Sequence, residues 1–304
     1  MDFGAFPLVL GGNVFGWTAD ESTSHDVLDG FVAAGGRVID TADGYSHWAP
    51  GNSGGESETI IGTWLAKRGR RDDVLIATKV SKHPQYLGLS RASIIGAVDA
   101  SLRRLQTDVI DLYYAHYDDP TVPMEESLGA LSELVAAGKV RAIAASNYSP
   151  ERLTQALDLQ AHSGLSPYVA YQGDYSLMER GFEGAMRDLV LARDLDFMPY
   201  YALARGFLTG KYRPGVVVDS PRAEGAAVYL DARGERTLTV LEQIAASHGT
   251  TSAAVALAWL NAQPGVTAPI ASARNVEQLQ QLLPVASLAL AADEVQALTD
   301  ASAG

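Results

Sequence analysis

Short apolar runs of strand character alternate with longer amphipathic segments along the whole chain. Eight runs have the length and content of strands: PLVLG (7–11), RVIDTA (37–42), VLIATKV (74–80), VIDLYYAH (109–116), VRAIAAS (140–146), YVAYQ (168–172), DFMPYYA (196–202) and VTAPIAS (266–272). Several are apolar at consecutive positions, the pattern of parallel strands covered on both faces. The intervening segments carry helix start signals. Ser90 precedes RASIIGAVDASLRRL, Pro123 opens MEESLGALSELVAAG up to Gly138, and Ser149 with Pro150 opens ERLTQALDL. Further helices are expected near 233–247, 251–262 and 292–301. Strand spacings of mostly about 30–40 residues suit βαβ units. Eight such units predict an α/β fold, a (β/α)8 TIM barrel, built as a single domain over 1–304. A doubly wound sheet is the competing architecture, but no G-x-G-x-x-G follows the first strand. The stretch 203–232 contains no strand and reads as a long functional loop after the seventh strand.

Composition narrows the chemistry. The chain has 304 residues and no Cys, which excludes disulfides, thiolate metal sites and thiol catalysis. The net charge of −13 does not draw in nucleic acid or an anionic membrane. Any phosphate site must therefore be built locally from Arg, Lys and helix N-termini. No apolar run reaches the roughly 20 residues that span a bilayer. MDFGAFPLVL lacks the basic start and apolar core of a signal peptide, so a cytoplasmic location is expected. None of the six His forms H-x-H or H-E-x-x-H, so a metal-dependent barrel hydrolase, one competing reading, lacks its usual histidine motifs.

In a (β/α)8 barrel the active site lies at the C-terminal strand ends. The second strand ends at Asp40, with Tyr45 in the following loop; the third ends with Lys79 and the fourth with His116. Charged groups inside apolar strands are costly unless paired, so Asp40 and Lys79 are natural partners. On its own such a pair has a plain structural use. Tyr45 and His116 at the same rim add a chemical one. The phenol has an ordinary pKa of about 10, and a nearby Lys cation lowers it. Asp40 would hold Lys79 in place, and His116 would donate a hydrogen bond to a substrate carbonyl. The four make an acid and a carbonyl-polarising donor without metal, suited to a carbonyl that receives a hydride.

These residues lie within DTADGY (40–45), GGESETIIG (54–62), ATKV (77–80), YAHYDD (114–119), ASNYSP (145–150), YQGDYSL (171–177), LARGFLTGKY (203–212) and SARNVEQL (272–279). In that order, across nearly the whole chain, they resemble the aldo-keto reductases. The resemblance implies an NADPH-dependent (NADP+-linked) reductase of aldehydes or ketones. Its catalytic set would be Asp40, Tyr45, Lys79 and His116, with Tyr45 as general acid. It also implies that Ser146, Asn147 and Gln172 face the nicotinamide carboxamide, beside Asp40, and that Tyr200 stacks on the nicotinamide ring. Leu203, Gly206 and Lys211 would wrap the pyrophosphate, and Gly12 and Asn13 would approach the cofactor from the first strand. Ser272 and Arg274 open a helix after the eighth strand, an anion site suited to the 2′-phosphate. Gln278 would contact the adenine. Phe15, Trp17, Trp48, Tyr117 and Tyr201 would line an aromatic pocket for a small-molecule carbonyl or alcohol. Trp64 and Trp259 follow helical periodicity and read as core.

Three positions depart from the family pattern. About six residues precede the first strand, so the short hairpin that often plugs the barrel bottom in this family is expected to be absent or reduced. Tyr201 and Ala202 stand where many relatives have Ser-Pro, and Leu282 replaces an Asn that commonly meets the adenine. The family also includes NADPH-holding auxiliary subunits and redox sensors, a second reading for this chain.

Overall fold

The computed structural model describes residues 3–304. Its strands are β1 (Val9–Gly11), β2 (Val38–Asp40), β3 (Leu75–Val80), β4 (Ile110–Ala115), β5 (Val140–Ser146), β6 (Tyr168–Gln172), β7 (Asp196–Phe197) and β8 (Ile270–Ala271). They form one parallel sheet in the order β7-β6-β5-β4-β3-β2-β1-β8. The two edges meet. Phe197 bridges Val266, and the amides of Thr267 and Ile270 donate to the carbonyls of Phe197 and Pro199 at 2.8 Å each. The sheet thus curls into a (β/α)8 barrel, with α1 (Glu21–Ala33), α2 (Glu56–Arg68), α3 (Arg91–Leu105), α4 (Met124–Ala136), α5 (Pro150–Ser163), α6 (Ala185–Ala192), α7 (Ala223–Ala227), α8 (Ala232–Ser247), α9 (Ser252–Asn261), α10 (Val276–Leu282) and α11 (Ala292–Ala301).

The helix starts follow from local chemistry. Ser90 and Ser149 accept hydrogen bonds from the backbone amides of Ser93 and Arg152, and Pro123 caps α4. Pro123 offers no side-chain acceptor, whereas the two serine side chains satisfy amides that the first turn leaves without a partner. Asn275 caps α10 in the same way, accepting from the Gln278 amide. The last two strands are shorter than 196–202 and 266–272 suggested. Pro199 and Pro269 lack the amide a ladder needs, so regular pairing breaks beside them.

Two apolar layers result from the period of two along each strand. Val9, Val38, Ala77, Leu112, Tyr114, Ala144, Ala170, Met198 and Ile270 point into the barrel. Their neighbours Leu10, Ile39, Ile76, Tyr113 and Ile143 point outward against the helices, in the larger cluster that holds Trp64 and Trp259. Phe3 joins the inner cluster. No helix among the described residues is long and apolar enough to cross a membrane.

The same parity places the site. One step beyond the inner apolar layer, the inward positions are Asp40, Lys79, His116, Ser146, Gln172, Tyr200 and Ser272. A barrel filled below by apolar side chains therefore carries its polar ones at the C-terminal rim.

Candidate active site

Lys79 has no exposure to solvent, and its ammonium spends all three donors inside the protein. It donates to Asp40 Oδ2 at 2.6 Å, to the Thr41 carbonyl at 2.8 Å and to the Tyr45 hydroxyl oxygen at 3.0 Å. The other Asp40 oxygen accepts from Gln172 Nε2 at 3.0 Å. Gln172 thus links β6 to β2 across the barrel. The Tyr45 oxygen is an acceptor in this network, which leaves its own O–H proton directed away from Lys79. The Tyr45 and His116 rings meet edge-on with centroids 6.0 Å apart.

The electrostatics correct one expectation. Burial, followed by the Asp40 carboxylate, pushes the Tyr45 phenol well above its ordinary value. Lys79 does not reverse that. Its own ammonium is pulled below the usual range by burial, against the opposing pull of Asp40. Desolvation of the neutral-to-charged change outweighs the cation, and Tyr45 is held as a phenol. Burial, with Lys79 and Lys82, pushes His116 well below the usual imidazole range. His116 is therefore neutral at pH 7. Its Nδ1 has no hydrogen-bond partner among the described residues.

A cavity of about 1110 Å³ opens over these groups. Asp40, Tyr45 and His116 lie in its wall; Lys79 lies beneath it. Asn13, Asn147, Gln172, Tyr200, Leu203, Gly206, Lys211, Ser272, Arg274 and Gln278 also line it. Several are already bonded to one another. Tyr200 Oη donates to Asn147 Oδ1 at 2.6 Å, Asn147 Nδ2 donates to the Ser146 hydroxyl and the His116 carbonyl at 3.0 Å each, and Ser272 Oγ donates to Asn13 Oδ1 at 2.6 Å. Trp17, Trp48, Tyr117 and Tyr201 stand around the mouth, with Trp17 edge-on to Trp48 at 5.6 Å.

Three residues lie elsewhere. Phe15 is fully buried in the outer core rather than in the pocket wall, because its loop turns inward and its carbonyl accepts from Ser46 Oγ at 2.7 Å. Gly11, not Gly12, reaches the cavity; the carbonyl of Gly12 accepts from Ser57 Oγ at 2.8 Å. Ser146 is buried behind Asn147, whose Nδ2 donates to its hydroxyl. The sequence reading also missed three cations in the wall, Lys82, Arg205 and Arg222. Arg222 follows a Pro in an irregular loop, and neither periodicity nor spacing marks its direction.

The residues present fit a phosphate-bearing dinucleotide. A Cβ at Gly11 would stand 2.5 Å from Ser272 Oγ, so only glycine leaves that wall open. The loop after β7 runs through left-handed backbone at Tyr201, Ala204, Arg205 and Gly206, with φ of 50°, 46°, 58° and 94°. Such strain costs on the order of 1–3 kcal/mol per non-glycine residue and clusters at ligand clamps. Lys211, Arg222 and Arg274 line the β7–β8 side, and none forms an ion pair with a carboxylate among the described residues. Arg222 is partly buried, and desolvation pulls it below the usual guanidinium range, a cost that an anionic partner would offset.

A parallel eight-stranded barrel with this rim defines an oxidoreductase of the (β/α)8 type. More specifically, the chain belongs to the Aldo/keto reductase family, whose model matches residues 7–303. It is 32% identical over 314 residues to protein tas of Escherichia coli (strain K12), covering 94% of this chain and 91% of that one. It is 31% identical to norsolorinic acid reductase B of Aspergillus parasiticus, covering 97% and 80%. It is 31% identical to aldo-keto reductase YhdN of Bacillus subtilis (strain 168), covering 94% and 85%.

The His116 environment sets a pH dependence. Its folded pKa lies below its unfolded value of about 6.5, so below that pH the unfolded chain binds a proton that the fold refuses. Stability is full above about pH 6.5 and falls as the pH drops. His83 is shifted down as well, mainly by burial, and is common to the wild type and the His116 variant. Urea midpoints of wild type and His116→Gln between pH 7 and 5 check the point. The variant is expected to lose less stability; equal losses would contradict a buried neutral imidazole.

Proposed function

We propose that the protein reduces an aldehyde or ketone to an alcohol with NADPH, Tyr45 supplying the proton. The observation that carries this reading is the Lys79–Tyr45 hydrogen bond at 3.0 Å, in which the phenol oxygen accepts and its proton remains free for the cavity. NADPH, when bound, supplies a hydride to the carbonyl carbon and leaves as NADP+.

Tyr45 and His116 share the carbonyl oxygen. The unpartnered His116 Nδ1 is the nitrogen to leave bare, because a buried N–H without an acceptor is rarer than a bare acceptor. The proton then sits on Nε2, and the neutral ring donates to the carbonyl. A neutral donor adds no charge that would repel Lys79. As negative charge develops on the oxygen, the Tyr45 phenol gives its proton, and Lys79 stabilises the phenolate left behind. Asp40 keeps Lys79 charged, and Gln172 holds Asp40.

Asn147 and Gln172 would face the carboxamide, and Tyr200 would lie against the nicotinamide ring. Lys211 and Arg222 would hold the pyrophosphate. Ser272 and Arg274, at the start of α10, would take the 2′-phosphate, which favours NADPH over NADH. Leu282 lines the cavity in place of a polar partner, so recognition of the adenine falls to Gln278.

Absorbance at 340 nm with small aldehydes tests the reading. Tyr45→Phe is expected to lower kcat by roughly 10²–10⁴-fold, the usual worth of a general acid, with NADPH binding retained. Arg274→Ala is expected to raise the KM for NADPH by roughly tenfold, the loss of one charged hydrogen bond, and to leave NADH unaffected. Equal turnover by wild type and Tyr45→Phe would overturn the acid role. Tight NADPH binding without turnover across a broad carbonyl panel would favour an auxiliary or sensing subunit instead.

A further inference from the structure

The cavity is far more cationic than the chain. Of the five lysines in a chain of net charge −13, Lys82 and Lys211 line it and Lys79 lies beneath it. Arg205, Arg222 and Arg274 add three guanidinium groups. Its wall holds a single carboxylate, Asp40, which Lys79 neutralises. The phosphates of a dinucleotide account for the cations on the loops after β7 and β8. They do not account for Lys82.

Lys82 follows β3, which the strand order places three strands from β8 and four from β7. It forms no ion pair among the described residues. Its ammonium instead lies 4.0 Å from the centroid of the Tyr117 ring. Tyr117 in turn lies against His116, with ring centroids 5.1 Å apart. Lys82 is thus one aromatic ring outward from the group proposed to bind the carbonyl. Trp48 and Tyr201 are large exposed aromatic side chains at the same mouth. With Tyr117 they give the mouth an aromatic lining suited to a flat ring, and the Lys82 cation lies beside it.

We infer that the substrate is an aryl aldehyde or ketone that carries a carboxylate or similar anionic group on its ring, paired with Lys82. The inference rests on the reductase reading for the carbonyl end; the anionic group takes no part in the redox step. The Tyr117 ring holds the ammonium over the mouth. An incoming carboxylate therefore gains an ion pair without ordering a free side chain. Against an acidic protein, the local cation also offsets the general repulsion of an anionic substrate.

The test compares 4-carboxybenzaldehyde with its neutral methyl ester, using the full-length protein with NADPH at low salt. Wild type is expected to show a kcat/KM ratio of roughly ten in favour of the carboxylate, one charged hydrogen bond's worth. In Lys82→Met the ratio should fall to near one, and in Lys82→Glu below one. Tryptophan fluorescence, reporting through Trp17 and Trp48, measures binding of 4-carboxybenzaldehyde without turnover. A Kd weakened roughly tenfold in Lys82→Met supports the ion pair even if no aldehyde is reduced; that combination would remove the reductase reading and leave the anion site. A ratio and a Kd unchanged by both substitutions, or a preference lost in Arg222→Met but kept in Lys82→Met, would overturn the assignment to Lys82.

Discussion

An ammonium group sealed inside a barrel is the constraint on which this structure turns. Lys79 has lost all contact with water, and nothing in an apolar interior can stabilise it except partners fixed in advance. Its three hydrogen bonds supply them: the Asp40 carboxylate, the Thr41 carbonyl and the Tyr45 phenol. Each comes from β2 or the loop that follows it, so β2 and β3 must be paired in register before the charge is tolerable. Gln172 then fixes the second Asp40 oxygen from across the barrel. The cation thereby dictates where Tyr45 stands. A loop tyrosine that would otherwise wander is held with its oxygen on Lys79 and its proton toward the cavity.

The same low-polarity setting decides the protonation states. Burial raises the Tyr45 phenol and lowers the His116 imidazole, and both are neutral at pH 7. The rim therefore presents two neutral donors over a compensated ion pair. That arrangement suits a reaction in which charge appears only transiently on the carbonyl oxygen. Farther out the balance changes: the wall of the cavity is cationic in a strongly acidic protein, and the strained loop after β7 holds several of those cations over the β7–β8 side.

Much of this was legible in the chain. The strand period of two identifies Asp40, Lys79, His116, Ser146, Gln172, Tyr200 and Ser272 as rim positions, because each continues the inward register of its own strand. Ser90 and Ser149 marked helix starts by capping chemistry, and Pro123 by its fixed backbone angle. The family motifs supplied the order. Loop residues were harder, since no period constrains them. Phe15 read as a pocket aromatic, yet its loop folds inward and buries it. Arg222 and Lys82 were invisible for the same reason: their directions are set by tertiary contacts with Trp17 and Tyr117, not by spacing. The sign of the Tyr45 shift was also out of reach. A nearby lysine can be read from a motif, but the desolvation that outweighs it exists only in the folded barrel.

The most direct measurement is the ionisation of Tyr45 itself. Tyrosine labelled with ¹³C at Cζ gives a resonance for each ring, and comparison with Tyr45→Phe assigns the relevant one. A phenol held by burial should keep its protonated chemical shift up to and beyond the ordinary tyrosine pKa of about 10. A phenolate shift appearing near pH 7 would show that Lys79 dominates after all, and would contradict a proton donor kept neutral by its surroundings.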